Sequence, residues 1–252
     1  MTKNPPTTWE LLNQLNNEEL KPLVDYIKKA SVTENLTISD AYKKHYPNHK
    51  KYIKEIYREI RLFGGNTFAN LFRGDGPPYL EVLEDVAKKI GVKNTKNVPF
   101  FELEHLMLEE LLRKALKEAK GSEKVELEAM LKKSGLSDKD LSAFLSGGTL
   151  VALIGASAYN LLLTRAATVI ASAVAKQLLG YGLSMGAAFS VQRMGAMWLG
   201  PIGIAVAGIW TAIDIGGPAF RVTIPCVLHI AMLRQQWVMK KNVDAMKGGF
   251  DE

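Results

Sequence analysis

A single cysteine, Cys226, stands among the 252 residues, inside the stretch TIPCVLHI. One thiol excludes a disulfide framework and fits a reducing compartment. Histidine is scarce as well, with four copies, so a metal site has few ligands to draw on. His45 and His49 are four apart, but Pro47 between them breaks the helical face. Glu102 and His105 have the spacing of one half of a di-iron carboxylate motif, yet no second Glu-x-x-His follows. That pair is expected on the exposed face of an acidic helix. Cys226 and His229 sit together in an apolar run and are expected in a core. There is no G-x-x-x-x-G-K-[ST] and no G-x-G-x-x-G, which removes the common phosphate-cradling loops. RGDG at 73–76 is read as a turn. The chain is therefore read as non-enzymatic, with no metal and no cofactor.

Charge is also missing, but only from part of the chain. Residues 1–140 hold 24 basic and 22 acidic side chains, and residues 141–252 hold 8 and 4. Between Leu141 and Leu233 the charged residues are Arg165, Lys176, Arg193, Asp214 and Arg221. From 194 to 213 there is none, a run close to the length of about 20 residues that spans a bilayer. The net charge of +6 is mild. A nucleic-acid binder needs a concentrated basic face. Here Lys and Glu alternate along the N-terminal helices as solvated faces do, so no nucleic acid is expected. MTKNPPTTWE has no apolar core after its lysine, so no signal peptide is expected and the protein is placed in the cytoplasm.

The periodicity of the first half is helical throughout. Leu11, Leu12, Leu15, Leu20, Leu23, Val24 and Ile27 follow the 3.6 spacing, with Thr8 or Asn17 as the caps. Tyr52, Ile53, Ile56, Ile60 and Phe63 share a second face. YLEVLEDVAKKIGV reads as a helix closed by Gly91. FFELEHLMLEELLRKALKEAKG reads as one entered after Pro99 and stopped at Gly121. Ser137 with Asp140 makes a capping-box start for another. No stretch alternates as a strand with turn signals around it. The fold class is all-α: an amphipathic helical domain over 1–146, a Gly/Ala-rich apolar helical domain over 147–235, and a basic tail over 236–252.

In the apolar half, Asn160, Thr164, Thr168, Ser172 and Lys176 recur every four residues, with Arg165 beside them. On a helix over roughly 149–179, about 46 Å long at 1.5 Å per residue, they form one weakly polar stripe. Such a helix suits three places: a membrane interface, the surface of a soluble core, or the wall of a water-filled pore. Gly182 and Gly186 form a GxxxG. Pro201 is expected to open a new helix, so the charge-free run is not one span. Its piece to Ile213 covers only about 20 Å, the length of a buried core helix or a re-entrant segment. AFRVTIPCVLHIAMLRQQW is read as helix to about Met239. The tail after it, with Trp237, Lys240 and Lys241, reads equally as an interfacial anchor or as a plain exposed helix. One further candidate is the polar loop of Gly64, Gly65, Asn66, Asn70, Arg73 and Gly74. Its glycines and Arg73 suit either an anion or simple loop capping.

DAYKKHYPNHKKY, FGGNTFANLFRGDGPPYLEVLEDVAKK and AFRVTIPCVLHIAMLR together resemble the YaaW family of bacterial proteins. The resemblance implies a short N-terminal domain joined to a region assigned to the ubiquinol–cytochrome c chaperone family, and it implies no catalytic residue. An apolar half exposed to water is unfavourable at roughly 25 cal/mol per Å², so lipid, a protein partner or a second copy of the chain must cover it. The leading expectation is a membrane-associating protein on the cytoplasmic face of the inner membrane. Its hairpins would pack in a soluble form or insert, in the sharpest case perturbing the bilayer along a wet stripe. The alternative is a soluble helical chaperone or assembly factor with the apolar half as its core.

Overall fold

The computed structural model describes residues 4–29, 35–64, 74–183 and 219–248. Among these residues every regular element is helical and no strand occurs. In chain order the helices are α1 (Thr8–Gln14), α2 (Asn17–Lys28), α3 (Asp40–His45), α4 (Ile53–Gly64), α5 (Tyr79–Ile90), α6 (Phe100–Glu118), α7 (Gly121–Lys133), α8 (Asp138–Leu145), α9 (Leu150–Leu153), α10 (Ala156–Leu179) and α11 (Phe220–Gly248). A 3₁₀ turn, His49–Tyr52, leads into α4.

Local chemistry sets most of the ends. Thr7 accepts from Glu10 N–H while the Glu10 carboxylate takes Thr7 N–H, a capping box that starts α1. Asn16 with Glu19, and Ser137 with Asp140, do the same for α2 and α8. Each satisfies two orphan backbone donors of a first turn. The first two caps thus stand one residue before the expected Thr8 and Asn17, whose places fall inside the helices. Gly91 closes α5 at φ 110° as expected, a left-handed cap that costs glycine no Cβ clash. Gly121 does not stop α6, which ends at Glu118; it opens α7. The helix expected over 149–179 is broken. Ile154 is extended and Gly155 caps a fresh start, so the long piece is α10.

The core explains the order of assembly. Every residue of α11 from Val222 to Gln235 is buried, which marks a helix enclosed on all sides. Helices α2, α4, α5 and α10 surround it, with α10 running against it most extensively. Ile56 and Ile60 of α4, Val82, Leu83 and Val86 of α5, and Leu23 and Ile27 of α2 join the same hydrophobic cluster. Leu162, Ala166, Ile170 and Val174 of α10 belong to it too. One continuous core therefore takes residues from both the charge-dense and the apolar halves. Helix α6 packs on α5 and α10. The expected tail does not begin a separate element: α11 continues through it to Gly248, with Lys240 and Lys241 exposed.

Candidate functional site

The polar groups that matter lie where α6, α10 and α11 meet. Arg234 of α11 is completely buried and its guanidinium forks onto Glu104 of α6, Nε to Oε2 at 2.8 Å and Nη2 to Oε1 at 3.2 Å. Nη2 also donates to Thr8 Oγ1 at 2.8 Å, and Nη1 donates to the Pro6 carbonyl. The ring of Phe100 lies under the guanidinium, 4.7 Å from it. Burial raises the Glu104 carboxyl above its ordinary range, and Arg234 pulls it back.

One turn further along α6, Glu109 is buried as well. Its Oε1 accepts from Tyr159 O–H of α10 at 2.8 Å and its Oε2 from Leu150 N–H at 3.0 Å. Burial again pushes its pKa up, opposed by these two donors and Arg113. A cleft of about 350 Å³ opens beside it, lined in part by Lys93, Leu106, Glu110, Arg113 and Lys117. The Arg113 guanidinium is already spoken for: it donates to Phe144 O at 2.8 Å, to Gly148 O at 3.0 Å and to Glu110. This junction ties the 144–150 turn to α6.

Three histidines are buried: His49 in the 3₁₀ turn, His105 near this junction and His229 against α2. His105, packed edge-on against Tyr159 at 5.4 Å, is not on an exposed acidic face as its motif suggested. Helix α6 buries Leu103, Glu104, His105, Met107, Leu108 and Glu109, so its covered face is far wider than its carboxylates imply. His229 of α11 lies against Tyr26, and its Nε2 is 3.0 Å from the Glu19 carbonyl. A carbonyl only accepts, so Nε2 carries the proton. Burial lowers the imidazoles of His105 and His229 to about 4. Cys226, three residues before His229, is buried too, and burial pushes its thiol up. It is a core residue, not a reactive one.

The imidazoles of His105 and His229 fix a pH dependence. Above about 6.5 they are neutral folded and unfolded alike. Below it the unfolded chain takes up protons first. Stability is therefore lost as pH falls from about 6.5 to about 4, by up to roughly 3 kcal/mol per histidine, and levels off beneath. Glu104 and Glu109 act in the opposite sense, because their raised pKa values favour the folded state as protons are added. Urea melts across this window should show a shallower acid loss in His229→Gln, which keeps a donor for the Glu19 carbonyl. An unchanged slope would mean that His229 does not titrate this way.

The residues singled out by sequence fall as follows. Thr164 and Thr168 are buried, Asn160, Arg165 and Ser172 are half-buried, and Lys176 is exposed. The middle of the stripe is therefore not the wet side of α10. Thr164 Oγ1 donates back to Asn160 O at 2.7 Å and Thr168 Oγ1 to Thr164 O at 2.8 Å. Hydroxyls satisfied by their own helix need no water. Gly64 ends α4 so close to α5 that an added Cβ would stand 2.3 Å from a Val82 methyl. Gly74 has φ 62°. Gly65, Asn66, Asn70 and Arg73 lie outside the described residues. Carbonyls of the 74–77 loop are held by α4: Arg58 Nη2 to Gly74 O at 3.0 Å, Arg61 Nε to Pro77 O at 2.6 Å and Arg61 Nη2 to Gly76 O at 3.1 Å. Gly186 of the GxxxG, Arg193 and the Pro201 helix start also lie outside the described residues. Residues 182–186, GLSMG, match G-x-S-x-G in letters. They follow α10 rather than a strand, so the strand–turn–helix setting of a nucleophile elbow is not met. Among the described residues no cluster of three His, Cys, Asp or Glu side chains suits a metal.

Comparison with known proteins supports the family resemblance. The chain is 36% identical over 233 residues to a UPF0174 protein of Helicobacter pylori strain J99, covering 89% of each. A second UPF0174 protein of that strain is 30% identical over 213 residues, covering 81% of this chain and 98% of the relative. The UPF0174 protein YaaW of Escherichia coli K12 is 32% identical over 205 residues, covering 76% of this chain and 74% of the relative. No family model matches the chain, so the chaperone assignment implied by the resemblance gains no support. No solved structure matches it either.

Proposed function

We propose a non-enzymatic, membrane-associating role for this chain, which belongs to the UPF0174 family. The observation that carries the reading is the burial of the two helices on either side of the 184–218 segment. Helix α10 is long and apolar enough to cross a bilayer, yet most of its apolar window is buried inside the fold. Helix α11 is enclosed from Val222 to Gln235. Their apolar surface is already covered, and they need no lipid. The segment between them carries the 194–213 run without a charge, and in this reading that run is what the bilayer takes up. In this reading the helical body stays at the cytoplasmic face of the inner membrane and offers 184–218 to the bilayer. A membrane-perturbing version requires α10 to leave α11 first, because Thr164 and Thr168 are packed away from water.

The test is fractionation of the untagged protein from its native cell, with the membrane pellet washed in high salt and then in alkaline carbonate. Retention through carbonate is the expected result. Release by salt alone would limit the contact to electrostatics at the surface. A protein found only in the soluble fraction overturns the reading. It would select the soluble helical chaperone or assembly factor, which the same burial of α10 and α11 also suits.

A further inference from the structure

The alternation of Lys with Glu along the N-terminal helices stops between Asp40 and Glu55. The stretch KKHYPNHKKYIK holds Lys43, Lys44, Lys50, Lys51 and Lys54 and no carboxylate. All five are exposed. Folding brings Lys28 to the loop, and Lys29 follows it in the chain. The 3₁₀ turn packs on α2, whose C-terminal end presents Lys28 and Lys29, both exposed. Asn17 of α2 holds this loop in place: its amide donates to Pro47 O at 3.0 Å, and its Oδ1 accepts from His49 N–H at 2.6 Å. Lys28 reaches the ring of Tyr46, with Nζ 5.3 Å from its centre. Among the described residues none of the seven lysines forms an ion pair.

Two apolar side chains stand exposed in the same region, Ile38 at 62% and Tyr46 at 52%. An aliphatic side chain and a tyrosine beside a cluster of lysines are what an anionic bilayer surface takes up: charge for the headgroups, apolar bulk for the acyl boundary. Neither a free anion nor a nucleic-acid phosphate gains from an exposed isoleucine.

The face also lies near the end of α10. Lys21, Asp25 and Lys28 are on one side of α2, at i, i+4 and i+7. Tyr181, just after α10, docks there. Lys21 Nζ donates to its hydroxyl at 3.1 Å, and the hydroxyl donates to Asp25. Lys21 also bonds Asp25 at 2.6 Å and sits 4.5 Å over the Tyr181 ring. Tyr181 therefore stands on the same side of α2 as Lys28, within about 10 Å of it along the helix, seven residues at 1.5 Å each from Lys21.

We propose that Lys28, Lys29, Lys43, Lys44, Lys50, Lys51 and Lys54, with Ile38 and Tyr46, form a docking face for anionic lipid headgroups. The inference rests on the membrane-associating role and names its lipid partner. The face holds the body against the anionic leaflet and so sets which side of the body meets the bilayer.

Vesicle sedimentation with the full-length protein tests it. Vesicles of phosphatidylcholine alone are compared with vesicles of phosphatidylcholine and phosphatidylglycerol in equal parts. The wild-type protein is expected to bind the anionic vesicles far more tightly, and to lose that excess as salt rises from about 0.1 M to about 0.5 M. The set Lys43→Gln, Lys44→Gln, Lys50→Gln and Lys51→Gln should lower partitioning to anionic vesicles by about a hundredfold, at roughly threefold to fivefold per lysine near the surface. A second set, Lys28→Gln, Lys29→Gln and Lys54→Gln, should lower it about thirtyfold on the same scale. Circular dichroism melts confirm that each set folds. Equal binding to both vesicle types, or variants that bind as the wild type does, overturns the docking face while carbonate retention in cells can still stand. Wild-type protein that binds neither vesicle overturns both proposals. If the same lysines then retain an RNA or DNA duplex, the face belongs to nucleic acid.

Discussion

A fragment comprising residues 1–146 will fail to fold. By composition the chain changes character near that point, as if the charge-dense part stood alone. The packing says otherwise. Helices α2, α4 and α5 each turn their apolar faces to α11. Removing α11 takes away Val222, Ile224, Val227, Leu228, Ile230, Met232 and Leu233, all buried. At roughly 1.5–3 kcal/mol for each fully buried side chain, that loss is about 10–20 kcal/mol. The whole stability of a domain is about 5–15 kcal/mol, so the remaining helices cannot offset it. They would expose Leu23, Ile27, Ile60, Val82 and Val86 to water instead. The fragment should be insoluble, or soluble with a non-cooperative melt and collapsed methyl dispersion by NMR. A soluble fragment that melts cooperatively would show that the first part has a sufficient core of its own. It would also return α11 to the status of an added element.

How much of this was legible in the sequence depends on the kind of statement. The helical class was legible because the apolar periods of the first half are helical, and Gly91 and the Ser137–Asp140 box mark real ends. Family membership was legible because three separated stretches carry the likeness. What was not legible is which helix lies at the centre. Periodicity reports how a segment divides its own faces, not what it packs against. Arg234 opens the run RQQWVMKK and looks like the first residue of a solvated basic tail, yet it is fully buried. Its partner Glu104 sits among carboxylates that look equally solvated. Nothing local distinguishes a buried ion pair from two surface charges 130 residues apart. The stripe misled for a related reason. Threonine reads as polar on a helix, but its hydroxyl can return to the carbonyl four residues back and leave an apolar surface. The lysine face was legible in principle, since the run between Asp40 and Glu55 holds no acid. Its concentration emerges only when the loop folds against α2.

Replacing Arg234 by methionine will be the most damaging single substitution in the body of the fold. The ion pair with Glu104 has no access to water, and breaking such a pair from one side typically costs about 3–5 kcal/mol, because the surviving charge stays buried without a partner. Glu104→Leu leaves Arg234 stranded in the same way, although Pro6 O and Thr8 Oγ1 still receive two of its donors. The double variant tells the two effects apart. An apolar pair of similar volume often replaces a buried ion pair at no cost, so Glu104→Leu with Arg234→Met should recover most of the stability lost by either single change. It should not recover all of it. The Pro6 carbonyl and the Thr8 hydroxyl lose their donor, a deficit of about 1–3 kcal/mol for groups left unpaired. That deficit belongs to α1, which Arg234 and Trp237 hold against α11, the latter through its Nε1 donating to Gln14 at 3.0 Å. Denaturant melts of the four proteins in the cycle would give a coupling energy of several kcal/mol. Hydrogen exchange should then show faster opening of residues 8–14 in the double variant, while α10 and α11 stay protected. Additive single losses in the double variant would mean that Arg234 acts through packing alone and that the fork to Glu104 contributes little. Uniform loss of protection across the fold would mean that α1 is part of the main cooperative unit, and not a separately held cap on its central helix.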